Sequence, residues 1–309
     1  MGPWLDAFLP AFGMIALGAF LKRRLLREDA VWAGIEKLVF WVLLPCLLAS
    51  SISAVDLGSL PVGGMAAALW ITLLIGTGAS LLLARGFGQA HPAATSVLQA
   101  GIRFNNLLGF AIAGAVFGMA GNGLAAVATG LIVPCVQVII TFVFAMGGGR
   151  ARPRPLAMLR QMALNPLIIG CAAGFAISAL GGLPPGVAPL ARILGQASVA
   201  LGLLAVGAAL GAESVRDRIT LQGATAAWKL LAMPALTLAF CTLFGLDALP
   251  TAIATLFMAL PTASTAYVMA RMMGGDAPIM AAMTTLQHLL AVATLPVWLL
   301  ILRAILPLP

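Results

Sequence analysis

The sequence predicts an all-α polytopic membrane protein. Its ten transmembrane helices form two inverted five-helix halves, each holding one interrupted helix. Three observations predict this. Of the 309 residues, 62% are hydrophobic and 8% charged, and the mean hydropathy is +1.09, so little of the chain suits water. Apolar runs of about 20 residues recur along the chain, the length that crosses a hydrocarbon core about 30 Å thick. The charges sit in the short connections and favour every second one. The runs do not alternate apolar with polar residues, so a membrane β-barrel is not indicated.

Ten spans can be placed, at about 4–21, 33–54, 61–84, 93–119, 122–145, 163–182, 190–211, 224–244, 249–273 and 277–303. Asp6 rather than a basic residue precedes the core of the first run, and the cations follow it. It is therefore expected to be a retained helix, not a secretory signal. The separators are Lys22-Arg23-Arg24, Asp56-Leu57-Gly58, Gly86-Phe87-Gly88, Gly121-Asn122-Gly123, Gly181-Gly182-Leu183-Pro184-Pro185 and Gly274-Gly275-Asp276. Most are rich in glycine or proline, as tight turns require. Asn165-Pro166 reads as a cap followed by a first-turn proline.

The net charge of +8 and pI near 10.4 reflect topology rather than a nucleic-acid partner. Lys22, Arg23, Arg24, Arg27, Arg85, Arg150, Arg152, Arg154, Arg160, Arg216, Arg218 and Arg271 follow spans 1, 3, 5, 7 and 9, whereas Arg192 and Arg303 lie on the other side. The positive-inside rule puts the first set in the cytoplasm and both termini outside. Residues 147–160 form a basic cytoplasmic linker between a first repeat, 1–146, and a second, 161–309. Five spans per half turn the second repeat upside down.

Two spans carry interruptions at matching places. Span 4 contains Ile102-Arg103-Phe104-Asn105-Asn106-Leu107-Leu108-Gly109. An arginine at mid-bilayer costs at least ~2.5–3.5 kcal/mol on insertion scales. Adjacent asparagines favour side-chain-to-backbone bonds over helix, and Gly101 and Gly109 add freedom to leave it. Span 9 contains Leu260-Pro261-Thr262-Ala263-Ser264-Thr265-Ala266-Tyr267. Pro261 cannot donate and clashes with the preceding turn, and three hydroxyls follow it. Paired interruptions point to a transporter site. The opened helix starts carry partial positive charge, and with Arg103 they favour an anion. The alternatives are a simple kink at Pro261 and an Arg103 that only binds neighbouring carbonyls.

At Ile102-Arg-Phe-Asn-Asn106, Leu260-Pro-Thr-Ala-Ser-Thr-Ala-Tyr267 and Ala270-Arg-Met-Met-Gly-Gly-Asp276 the sequence resembles the auxin efflux carrier family of the bile acid/auxin carrier superfamily. It is most similar in kind to the bacterial malonate or organic-acid permeases, and the ten-span layout agrees over the whole chain. The resemblance implies two crossed, broken helices in spans 4 and 9. It implies a scaffold of spans 1, 2, 6 and 7, a mobile transport part of spans 3–5 and 8–10, and an elevator-like movement. It also implies a homodimer in the bacterial inner membrane, with periplasmic termini, and a small carboxylate substrate. Asn105 or Asn106 takes the place of the family's crossover asparagine. Span 9 departs from the plant pattern in lacking an asparagine between Pro261 and Thr265, and Arg103 departs at the first break. Both departures favour a small organic anion over auxin.

The candidate substrate-binding residues are Arg103, Asn105, Asn106, Pro261, Thr262, Ser264, Thr265, Gln137 and Gln287. His288 is a candidate for carrying a coupling proton, because histidine ordinarily titrates near neutral pH; the alternative is a neutral interhelical bond. Gln137 either lines the cavity or joins helices. Ser50, Ser51 and Ser53 follow Pro45 and either face the substrate path or, as small residues more often do, serve as packing positions. Lys37 and Lys229 are expected to snorkel from span edges. No Asp or Glu falls in mid-span, which disfavours coupling through a buried carboxylate. The candidate coupling ions are H+ or Na+. Cys46, Cys135, Cys171 and Cys241 lack metal or disulfide spacing, so no metal or cofactor is expected. Gly147-Gly148-Gly149 lacks the Lys-Ser/Thr of a nucleotide loop. An intramembrane enzyme would have only Ser264 and His288 to work with. The other alternative is an anion channel or ligand sensor on the same scaffold, although no loop is long enough for a soluble sensing domain.

Overall fold

All regular structure among the described residues is helical. The computed structural model describes residues 2–54, 62–146, 156, 160, 163–210 and 218–308, and the side chains from residue 8 onward. Helices α1 (Gly2–Arg24), α2 (Asp29–Ser53) and α3 (Val62–Gly86) are followed by α4 (His91–Ile102) and α5 (Asn106–Met146). Then come α6 (Pro166–Ala179), α7 (Val187–Ala209), α8 (Ile219–Leu243), α9 (Ala248–Ala259), α10 (Thr265–Met273) and α11 (Ala277–Ile305). Six stretches are long and apolar enough to cross a membrane: α2, α3, α4 with α5, α7, α8 and α11. The turns expected at Asp56–Gly58 and most of the 147–160 linker lie outside the described residues.

Local chemistry accounts for most boundaries. Lys22, Arg23 and Arg24 fill the last turn of α1, where cations suit the helix dipole, and Lys22 pairs with Asp29. The Asn165 side chain accepts from Leu167 N at 2.9 Å and starts α6 at Pro166, as expected. That helix is shorter than the expected span 163–182. Glycines in positive φ follow at Gly181 and Gly182, and others end turns at Gly88 and Gly274.

The expected turn at 121–123 is corrected. The non-helical residue is Gly118, at φ 61° and ψ −146°, a region that essentially only glycine occupies. A Cβ on Gly121 would lie 2.5 Å from Ala113 O, and one on Gly114 would lie 2.9 Å from the Asn122 amide. Asn106 and Thr129 side chains meet at 2.9 Å across 23 residues, a separation of about 35 Å in a straight helix. So α5 is a helical hairpin with its apex at Gly118.

Prolines reshape two other helices. In α2 a π-helical turn, Val39–Leu43, precedes Pro45, and in α8 a π-helical turn, Trp228–Ala232, precedes Pro234. Widening the turn eases the clash of a proline ring with the carbonyl four residues back. That carbonyl in α8, Leu230 O, accepts instead from Trp298 Nε1 at 2.8 Å.

The helices pack as two groups. In the first, α1 lies on α7, and α2 lies on α6 and α7. Backbones touch there: a Cβ on Gly207 would sit 1.8 Å from Ile15 O, and one on Gly18 would sit 2.0 Å from Leu204 O. Small residues allow this approach, as is usual between membrane helices. In the second group, α3 packs on α4 and α8, α9 on α5 and α8, and α11 on α4, α9 and α10. Between the groups, a cavity of about 290 Å³ is lined by α1, α5 and α7, with Gln196 its one amide side chain.

Candidate functional site

The first interruption is short. Helix α4 stops at Ile102, Arg103 turns extended at ψ 164°, and α5 starts at Asn106. Asn105 acts as the cap: its Oδ1 accepts from Leu108 N at 3.2 Å. Gly101 and Gly109 do not form the break, contrary to the sequence expectation. Both lie within helix and permit close packing: a Cβ on Gly101 would lie 2.1 Å from Ser80 Oγ, and one on Gly109 would lie 2.8 Å from Leu260 Cδ1.

The second interruption runs from Leu260 to Ser264, between α9 and α10. Pro261 has no N–H to continue the helix. Were the helix to run on, Thr262 N would close onto Met258 O. Instead it donates to Gln287 Oε1 at 2.9 Å.

The two breaks meet. Asn105 N donates to Pro261 O at 2.8 Å, backbone to backbone. Gln287, on α11, staples both: its Oε1 takes Thr262 N, and its Nε2 donates to Ala100 O at 3.0 Å. The Thr262 hydroxyl donates to Gln99 O at 3.4 Å. The ends of α4 and the second break, each short of intrahelical partners, thus satisfy one another. Phe257 seals the apolar side, against Phe104 and Phe110 at 5.8 and 6.3 Å between ring centroids.

His288 belongs to this brace. Its Nδ1 lies 2.8 Å from Thr284 O, which only accepts, so Nδ1 carries a proton. In the neutral ring Nε2 then accepts from Asn105 Nδ2 at 3.0 Å. This is the interhelical bond weighed above, and it fixes the asparagine that caps α5.

The predicted residues therefore fall into two layers. Asn105, Pro261, Thr262, Gln287 and His288 are buried and hold the breaks together. Arg103, Asn106 and Ser264 are partly exposed and Thr265 is exposed. Arg103 bridges the breaks: Nη2 donates to Thr265 Oγ1 at 2.9 Å, and Nη1 lies 2.9 Å from Met269 Sδ and 3.4 Å from Gln99 Oε1. These are neutral acceptors, the sulfur a weak one. Among the described residues no carboxylate bonds to Arg103, and no Asp or Glu is buried. Asn106 Oδ1 is occupied by Thr129.

Gln137 does not join the cluster. It donates to Thr141, one turn along its own helix, at 3.3 Å. It lies eight residues beyond Thr129, about 12 Å farther along the axis. Ser50 and Ser53 bond carbonyls of their own helix.

Sequence reasoning does not name Gln99 and misplaces Lys229. Gln99, fully buried, stands one turn before Arg103 with its Nε2 unpartnered; a glutamine four residues ahead of an intramembrane arginine was the available signal. Lys229 corrects the snorkelling expectation: it is fully buried, with Nζ 3.0 Å from Met258 O. The sequence predicts that span 8 starts at about 224, but α8 begins at Ile219. The lysine is therefore ten residues, about 15 Å, inside the helix.

Apolar helices of spanning length, with two interruptions stapled where they meet, are the kind of arrangement in which membrane transporters build their sites. Residues 150–299 match the family model described as a membrane transport protein, a model of the auxin efflux carrier family and the bile acid/auxin superfamily. With its apolar helices, the match supports an integral membrane protein, and the family matched is one of membrane transporters. The matched stretch contains the second break, Gln287 and His288. No curated protein matches the chain.

Proposed function

We propose that this protein is a secondary transporter for a small organic anion, a mono- or dicarboxylate, bound where the two breaks meet. The observation that carries this is Arg103. Its guanidinium is partly exposed at the junction and has neutral acceptors only. A carboxylate would supply the missing counter-charge in a bidentate pair. Thr265, which bonds Arg103, and the partly exposed Asn106 and Ser264 offer further polar groups beside the breaks. The first turns of α5 and α10 start there, with orphan N–H groups and about half a positive charge each. Asn105, Pro261, Thr262 and Gln287 hold these groups in place.

In this reading residues 1–146 and 161–309 are inverted repeats of five spans each. The spacing of breaks and turns supports it. Gly118 follows Asn105 by 13 residues (118 − 105), and Gly274 follows Pro261 by the same 13 (274 − 261); Asn105 and Pro261 are also the residues whose backbones bond. The group formed by α1, α2, α6 and α7 is the scaffold, and the group carrying both breaks moves against it in an elevator-like step. The cavity between α1, α5 and α7 lies along the seam on which such a step would slide. The protein works as a homodimer in the bacterial inner membrane, with its termini in the periplasm. The driving force comes from an ion gradient, H+ or Na+, or from the substrate's own gradient.

Uptake of radiolabelled mono- and dicarboxylates into proteoliposomes tests the reading. Uptake should saturate and show counter-flow exchange. Arg103→Ala should reduce it by about 100-fold, the scale of losing a charge-assisted pair of about 3 kcal/mol, while the variant still folds and melts cooperatively. Full uptake by a folded Arg103→Ala protein, or unsaturable current, overturns it.

A further inference from the structure

We infer that Lys229 is a built-in cation that holds the place a dissociable coupling ion would take, so that the second break needs no sodium to stay formed. The inference rests on the transporter reading for its meaning but on the geometry for its content. Helix α9 ends at Ala259, and the last carbonyls of a helix lack intrahelical donors and carry its negative end. Met258 O is one of them. Its normal donor would be Thr262 N, which goes to Gln287. The Lys229 ammonium, fully buried, takes the vacated place at 3.0 Å. In transporters with broken helices, such half-helix C-terminal ends are where coupling cations bind.

The element that carries Lys229 is shaped for this. The lysine lies in the π-helical turn ahead of Pro234, and that turn is pinned by Trp298 through Leu230 O. Pi-turns occur often at functional sites because they re-aim side chains. The turn packs against α4, α9 and α11. The titratable or charged residues on those elements and at their ends are His91 and Arg103 by α4, Asp247 at the start of α9, and Asp276, His288 and Arg303 on or capping α11. The ammonium donates to the Met258 carbonyl, and among the described residues no carboxylate bonds to it. The charge is therefore set against the helix end.

Two substrate-free measurements on purified protein test this, so their outcome does not depend on the identity of the transported anion. The apparent Tm of wild type should be the same in sodium, potassium and choline chloride. Lys229→Met, close in shape but uncharged, should melt about 5 °C lower, the scale of losing one charged hydrogen bond. Lys229→Ala removes a propylammonium's worth of atoms, and propylammonium chloride should raise its Tm where choline does not; Lys229→Arg should retain most of the stability. In proteoliposomes wild-type uptake should be equal with and without a sodium gradient. Lys229→Met melting and transporting like wild type, no rescue of Lys229→Ala by propylammonium, or stabilisation of wild type by sodium would each overturn the inference. If no carboxylate is taken up by wild type, the transport reading fails while the melting results still decide the role of Lys229.

Discussion

Replacing Gln287 by leucine should do more damage than losing one glutamine usually does. The side chain makes two bonds, to Thr262 N at 2.9 Å and Ala100 O at 3.0 Å, in a place where it is itself 1% exposed. Side-chain hydrogen bonds in membrane proteins average only about 0.6 kcal/mol, because the unfolded chain finds other partners in the bilayer. Here the loss strands two backbone groups at interrupted helix ends, sealed by packing. Each buried orphan costs about 1–3 kcal/mol, so Gln287→Leu should destabilise by about 2–6 kcal/mol. At roughly 2–4 °C per kcal/mol, the scale for soluble domains of about 200 residues, the apparent Tm should fall by about 5–20 °C. Gln287→Glu separates the two bonds: a carboxylate can still accept from Thr262 N but cannot donate to Ala100 O. It should therefore melt below wild type and lose transport. Thermal unfolding in detergent, followed by tryptophan fluorescence, reads all three proteins. A Gln287→Leu protein melting within 1 °C of wild type refutes the claim that this amide holds the breaks together.

Two further predictions concern the frame. Gly118→Ala should cost about 1–3 kcal/mol from backbone strain alone, because a Cβ there meets nothing within 4 Å; a Tm unchanged from wild type removes Gly118 from the apex of the hairpin. Asp276→Ala should lower the Tm by a few degrees, since Asp276 accepts from Ile279 N at 3.2 Å as the cap of α11 and lies 3.4 Å from Arg218 Nη1. A cap is worth about 1 kcal/mol and an exposed ion pair at most about that, so Asp276→Asn, which keeps the cap, should recover most of the loss. Equal melting of the Ala and Asn variants would assign the effect to the ion pair instead.

What the sequence made legible was whatever disturbs a helix locally. Arg103, the paired asparagines and Pro261 violate the rules for an apolar helix, and both interruptions fall where those residues lie. The cap at Asn165 and the glycines at 88, 181, 182 and 274 are equally local, and they sit at helix ends as expected. The hairpin apex was misread by three residues because Gly118 competes with the more turn-like Gly121-Asn122-Gly123. Only packing shows that Gly121 is needed for close approach rather than for a turn. The division of the site into bracing and accessible residues was not legible. Asn105 and Asn106 are chemically identical neighbours, and helix geometry alone sends one inward to His288 and the other toward Thr129. Lys229 was misjudged for a related reason: its depth depends on where α8 begins, and Ile219-Thr220-Leu221-Gln222 is too polar to mark that start by hydropathy.

The staple at Gln287 also has a consequence for how the protein is made. Its bond to Ala100 joins residues 187 apart in sequence, and the contact between Asn105 and Pro261 is of the same long range. At about 5–20 residues per second, the ribosome needs on the order of 10–40 s to go from one end of that bond to the other. Throughout that interval the first half sits in the bilayer with Arg103 inserted and the end of α4 unsatisfied. The site thus closes only after the second half is made, and a ribosome that stalls between the halves leaves a membrane intermediate marked by an open helix end and an arginine without its second-half partners.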